Sequence, residues 1–491
     1  MHTRSFGREV AWAVALVALV SPSRNLAQEK SAASAKVPVT TSSDDARQLY
    51  LKGRDLAEKL RATDANRYFQ QALAKDKGFA LGYFGLATSA GTAKQFFDAM
   101  KQAVAHAPQA SEAERHMILG FDAGVRGDPA AQADHFKKLV AAFPNDERAH
   151  NFLGGYHFGR QEYTQAIAHY KKATAINASF SQPYNQMGYA YRFLENYAEA
   201  EAAFKTYIEL IPNDPNPYDS YAELLMKTGR FEESIRNYEK ALEQDPNFIA
   251  SYVGIGNDYV FMGQGEKARE TFAKISARAR NDGERRTAHL WAAASYLHEG
   301  ATEKALAELG KLAAIARAGN DLAALSGDVN QMGDVLREAG RLDEALARYT
   351  ESVETMEKAE VHADVKQGVR RNFLFEQARV ALAKKDLASA KQTADAYTKQ
   401  VAVRSIPFEV RQQHELMGLI ALEEKRPADA VAELQQANEQ DPRILYLTAV
   451  ALHAKGDTQR ARAAAEKAAR FNGLSFNYGF AREKAKKLAS A

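Results

Sequence analysis

Three proline phrases of this chain stand on one numerical grid. Phe143-Pro144-Asn145-Asp146, Ile211-Pro212-Asn213-Asp214 and Asp245-Pro246-Asn247-Phe248 place their prolines 68 and then 34 residues apart. A fixed period of this size marks stacked two-helix units rather than one globular core. Such a unit is too thin to bury its own apolar face, so it must stack on its neighbours. The usual estimate of two to four globular domains for 491 residues therefore does not apply. Composition agrees: with 13 prolines, 30 glycines and abundant alanine, the chain favours helix.

The period can be followed position by position. In windows starting at 147, 181, 215 and 249, the fourth residue is His150, Tyr184, Tyr218 and Tyr252. The eighth is Gly154, Gly188, Ala222 and Gly256, and the twentieth is Ala166, Ala200, Ser234 and Ala268. The twenty-fourth is Tyr170, Phe204, Tyr238 and Phe272. Looser copies begin at 46 (Gly53, Ala65, Phe69), 80 (Tyr83, Ala87, Ala99) and 113 (Gly120, Phe136). Others begin at 286 (Ala293, Ala305), 326 (Gly333, Ala345, Tyr349), 371 (Ala378, Ala390), 411 (Gly418, Ala430) and 442 (Ala449, Ala461). This pattern resembles the tetratricopeptide repeat (TPR) family over nearly all of 45–474. The resemblance implies an all-α fold: a right-handed α-solenoid of about twelve helical hairpins, strongest over 147–280, closed by a capping helix at 475–491.

The residues give physical reasons for such hairpins. Small side chains at the eighth and twentieth positions let two helices approach closely. The aromatic at the twenty-fourth fills space against the next unit. Proline near the thirty-second ends the second helix, because the residue before it avoids the α region. Turns such as Thr228-Gly229-Arg230 and Ala339-Gly340-Arg341 supply a glycine that adopts positive φ. In the last segment, Phe476 and Phe480 are expected to face inward and Lys484, Lys486 and Lys487 outward.

Targeting is read from the first residues. Arg4 and Arg8 precede an unbroken apolar run, Val10–Val20, which is too short to span a bilayer but has the length of a signal-peptide core. A cut after Ala27 is expected, giving a periplasmic or secreted protein with no membrane span after cleavage. An uncleaved short anchor is the other reading. Residues 28–44 are small and polar and read as a flexible linker. The formal net charge is +3, of which Arg4, Arg8 and Arg24 against Glu9 supply +2. The remainder is nearly neutral and offers no general attraction to nucleic acid. With no cysteine, disulfides, thiolate nucleophiles and cysteine-ligated zinc are excluded.

A search for chemistry yields little, and no enzyme activity, cofactor or metal is expected. Gly263-Gln264-Gly265-Glu266-Lys267-Ala268 matches a dinucleotide fingerprint, but it falls in an inter-helix turn instead of following a strand. His116, His150, His289 and His414 all occupy the fourth position, where tyrosine stands elsewhere, and read as packing residues. Acidic residues are expected on solvated faces. The loosened stretch 286–410 offers room for a catalytic site but shows no catalytic set.

The family resemblance implies that the first helix of each hairpin lines a concave groove, with partner contacts at fixed positions. Those positions hold Asn151, Asn185 and Asp219; Gln186; Tyr189, Glu223 and Asn257; and Arg192. An asparagine ladder can pair with an extended peptide backbone, since each amide both donates and accepts. The expected function is therefore a non-catalytic scaffold that binds a protein or peptide partner. A component of envelope-assembly or polysaccharide-export machinery is the alternative. Lysines that would complete a clamp for a chaperone's C-terminal carboxylate are missing, which argues against that partner. Oligomeric state is not readable from the sequence.

Overall fold

The computed structural model describes residues 36–490. The expected signal peptide, and residues 28–35 of the expected linker, lie outside the described residues. Twelve antiparallel helix pairs follow in order. They are α1 (Asp44–Glu58) with α2 (Ala62–Lys75), α3 (Ala80–Thr88) with α4 (Ala93–His106), α5 (Glu112–Val125) with α6 (Pro129–Ala142), and α7 (Glu147–Gly159) with α8 (Tyr163–Ile176). Next come α9 (Gln182–Phe193) with α10 (Tyr197–Leu210), α11 (Pro215–Lys227) with α12 (Phe231–Gln244), α13 (Ile249–Phe261) with α14 (Gly265–Arg278), and α15 (Asp282–His298) with α16 (Thr302–Ala318). The last four pairs are α17 (Leu322–Glu338) with α18 (Leu342–Lys358), α19 (Ala363–Ala383) with α20 (Leu387–Arg404), α21 (Pro407–Glu423) with α22 (Pro427–Leu434), and α23 (Pro442–Lys455) with α24 (Thr458–Ala469). A final helix, α25 (Tyr478–Ser490), follows them. No strand occurs among the described residues. The fold is an all-α solenoid.

The small positions do their work within each pair. A Cβ on Gly154 would stand 2.5 Å from a ring carbon of Tyr170, and one on Gly188 would stand 2.5 Å from Phe204. The aromatic thus lies over the small residue of its own pair. It also reaches the next pair, as expected: Tyr238 leaves no room for a Cβ on Gly254. Rings packed on bare backbone let two helices approach closely without a void. The loosened spacing after 286 is resolved as longer helices: α15 to α18 have 17 residues each and α19 has 21. This stretch is as regular as the rest.

Two ends depart from the sequence reading. Residues 36–43, inside the stretch read as a flexible linker, run extended across the first turns of α3, α5 and α7 and are hydrogen-bonded to them or to the loops before them. The final helix does more than close the array. It packs on α23 and α24 but also crosses the inner face of earlier pairs. Tyr478 is fully buried, edge-on to Phe261 at 5.0 Å. Phe480 joins Leu297, Leu309 and Val335, and the Lys484 ammonium meets Glu338 at 2.8 Å. Thirteen residues that face two ways thereby tie the end of the chain to its middle.

The superhelix also touches itself from turn to turn. Arg280 reaches Asp64 at 3.2 Å and Glu284 accepts from Thr63 at 2.8 Å. Farther along, Gln161 donates to Asn438 at 3.0 Å, Arg411 to the Arg160 carbonyl at 2.6 Å, and Lys467 pairs with Glu195 at 2.8 Å. Nearly all these contacts are polar.

Candidate functional site

The expected groove residues arise from the first helices of pairs four to seven, which place them on the inner face. There they do not form a free row. Tyr189 donates to Glu223 at 2.9 Å and lies within 3.3 Å of Ser220, while Arg192 donates to the other Glu223 oxygen at 2.9 Å. The Arg192 guanidinium also sits over the Tyr189 ring at 4.7 Å. Asp219 accepts from Ser251 at 2.7 Å. Burial, reinforced by the Glu223 charge, pushes Asp219 up to about 8. Asn257 is fully buried and donates back to the Val253 carbonyl in its own helix. Asn185 is buried with its side-chain oxygen unpaired. Asn151 donates to Gln182 at 3.0 Å and belongs to a different cavity. Gln186 is half-buried.

So Tyr189, Arg192, Asp219 and Glu223 come together, and the asparagines stand apart from them. The cluster borders a cavity of about 470 Å³, whose far wall is Arg61–Asp64 from the first pair and Arg280–Glu284 from the eighth. The groove is therefore roofed here by the neighbouring turn, which a per-repeat reading does not contain.

A second cavity, of about 420 Å³, lies on the inner face of the first four pairs. Tyr50, Phe84, Met117, Phe121 and Phe152 line it. Arg148 spans it, pairing with both oxygens of Glu58 at 2.6 and 2.9 Å. The rings come from α1, α3, α5 and α7, the first three of which lie in looser sequence copies, and none was singled out from the sequence. Their signal was available: Phe84 and Phe121 stand at or near the inner positions of their windows.

A third feature corrects the expectation that acids sit on solvated faces. Glu376 and Glu415 are buried on the inner face, between Arg337, Arg379 and Arg443. Burial raises Glu376 even though Arg379 lies 3.1 Å away. Asp219 and Asp258 are buried as well. In the stretch 286–410 a cavity of about 410 Å³ holds Asp364 and Glu409. Both are neutralised: Glu409 is gripped by Arg371 at 2.8–3.0 Å, and Asp364 by Arg404.

The four histidines each pair with the residue 19 places on, across their own hairpin. His116 meets His135 at 2.9 Å and His150 meets His169 at 3.4 Å. His289 meets Glu308 at 2.7 Å and His414 meets Glu433 at 2.8 Å. Burial, helped by His157 and His150, pushes His169 down to about 4. Among the described residues no group of three or more His, Asp or Glu side chains is placed to hold a metal ion. Likewise, no helix there is long and apolar enough to cross a membrane.

Models of the tetratricopeptide repeat match residues 121–180, 181–214, 225–288 and 416–474. No curated protein matches the chain. Among solved structures, YrrB, described as a TPR protein with an unusual peptide-binding site, is 21% identical over 37% of this chain and 93% of its own, with a TM-score of 0.26. MamA is 24% identical over 33% of this chain and 94% of its own, at 0.28. A tetratricopeptide repeat protein from Parabacteroides merdae ATCC 43184 is 16% identical over 56% and 94%, at 0.34.

Proposed function

This chain belongs to the tetratricopeptide-repeat family, whose helix pairs form protein-interaction scaffolds, and from that premise we propose that it is exported to the cell envelope and holds extended segments of partner proteins along its inner face. Export rests on the basic start, the short apolar run and Ala27. The observation that carries the binding reading is the seat of residues 36–43. The inner edge of the array already holds one extended stretch of polypeptide, by hydrogen bonds from its backbone N–H groups to Asp146, Glu114 and Asp76. Main-chain capture of this kind accepts many sequences, and side-chain pockets then select among them.

The test uses the middle of the array. Gln186→Ala with Arg192→Ala removes two partly exposed polar groups from the inner face. Crosslinking in the native envelope, followed by mass spectrometry, should recover less of the partner set, with helicity by circular dichroism unchanged. An unaltered crosslink profile from a folded double variant would remove the inner face as the binding surface.

A further inference from the structure

Residues 36–43 alternate along their length: Lys36, Pro38, Thr40 and Ser42 are exposed, and Val37, Val39, Thr41 and Ser43 are turned towards the protein. This is the period of an extended strand with one face seated. The seat is specific. Val37 N–H donates to Asp146 at 2.8 Å, Thr40 N–H to Glu114 at 2.7 Å and Ser42 N–H to Asp76 at 2.9 Å. Thr41 adds its hydroxyl to Asp76 at 2.5 Å. The Lys36 ammonium donates to the Asn145 carbonyl at 2.8 Å and is paired with Glu147. Every second or third N–H thus meets a carboxylate, and the one cation of the segment lies between acids.

Beside this strap lies the 420 Å³ cavity, with Val37 and Pro38 at its mouth. Its apolar walls are Tyr50, Phe84, Met117, Phe121 and Phe152, and of its polar lining Glu58 pairs with Arg148 while Asn151 donates to Gln182. Val and Pro are short. They reach the rim and place no bulky side chain of the strap over the aromatic floor.

We infer that this cavity is a docking site for an extended partner segment in which a cationic residue precedes a large apolar one, and that Lys36–Ser43 is a weak cis occupant that such a segment displaces. The inference rests on the scaffold reading above and names the partner's chemistry. The strap itself states the grammar: a cation for Glu147, then an anchor over the cavity, with backbone N–H groups for Asp146, Glu114 and Asp76. A Phe or Leu in place of Val37 adds the apolar bulk the aromatic walls lack, and buried anchors of that kind dominate binding. The cis strap holds the seat through its tether, at high effective concentration, without the best contacts.

The experiment needs no natural partner. Two synthetic peptides repeat residues 36–43, one unchanged and one with Phe at the Val37 position, each with a fluorophore at its C-terminus. Anisotropy titrations use the full chain and its Val37→Asp variant, whose strap loses its apolar contact. The Phe peptide should bind Val37→Asp on the order of tenfold tighter than the parent chain, and tighter than the unchanged peptide does. Phe152→Ala in the Val37→Asp background should reverse most of that gain. Lys36→Glu, which breaks the pair with Glu147 and leaves the apolar cavity walls intact, serves as a second release variant if Val37→Asp loses helicity by circular dichroism. Equal affinity for parent and released chains shows that the strap does not cover the site. No binding to either folded release variant, or indifference to Phe152→Ala, overturns the docking site itself. Partner capture through Gln186 and Arg192 is read separately, so failure of one result leaves the other legible.

Discussion

Asp258 shows how much a single buried group can set. It is fully buried, and that burial pushes its carboxyl to about 8 against the pull of the Ser234 hydroxyl. An unfolded aspartate titrates near 3.9. Between those values the folded chain keeps a proton that the unfolded chain has lost. The associated stability is fully present below about pH 4 and is lost as pH rises through about 8, at about 1.4 kcal/mol per pH unit. Asp219 acts in the same direction. Urea unfolding at pH 5 and pH 8 should therefore show a smaller pH-dependent loss in Asp258→Asn than in the parent, since the amide mimics the protonated form. Parallel losses would mean the carboxyl is not protonated in the fold. Two adjacent glycines make a second residue-level test. Gly154 has the Tyr170 ring where a Cβ would go, while Gly155 has nothing within 4 Å. Gly154→Ala should cost about 1–3 kcal/mol through overpacking. Gly155→Ala should gain about 0.5–1 kcal/mol from helix propensity. Thermal melts of the two variants should move in opposite directions.

At the scale of the element, the turn between the two helices of a pair recurs with one demand. In eleven of the twelve pairs one residue takes positive φ. Glycine answers at Gly127, Gly229, Gly263, Gly300, Gly340 and Gly456. Leu60, Gln161, Glu195, Lys385 and Lys425 adopt the same conformation with side chains that disfavour it. The turn is therefore dictated by helix geometry and stacking, and the glycine only makes it cheap. Lys425 is exposed with φ of +57°. Lys425→Gly should relieve about 1–2 kcal/mol of left-handed strain and return part of it as unfolded-state entropy. A small rise in Tm is expected, and a fall would show that the lysine side chain stabilises the turn. The same element-level reasoning explains the paired histidines. A spacing of 19 residues puts the fourth position of one helix beside its partner on the next, so His289 and His414 find Glu308 and Glu433.

For the whole molecule, the decisive contacts join residues more than 200 apart in sequence. They are ion pairs and single hydrogen bonds, exposed as in Lys467 with Glu195 or partly buried as in Gln161 with Asn438. Exposed pairs of this kind contribute about 0–1 kcal/mol each, and salt screens them. The final helix is anchored differently, through Tyr478 and Phe480 in apolar surroundings. Raising ionic strength from about 0.01 M to about 1 M should therefore part the turns at pairs three to six and leave the docked helix in place. Small-angle scattering should show a larger radius of gyration at high salt, with unchanged helicity. A profile that does not change with salt would mean the turns are held by more than these pairs.

The helix pairs and their packing could be read from residues alone, because each pair's contacts close within about one period: Gly154 with Tyr170, Gly188 with Phe204. The inner positions were legible too, since helical spacing assigns a face to Asn185, Tyr189, Asp219 and Glu223. Whether that face is open was not. Each pair adds a small rotation to the last, and only the sum over many pairs decides where the second turn lands on the first. The roof of Arg61–Asp64 and Arg280–Glu284 over Asp219, the seat of Lys36–Ser43 and the docking of Tyr478 on Phe261 all depend on that sum, so they belong to the tertiary structure.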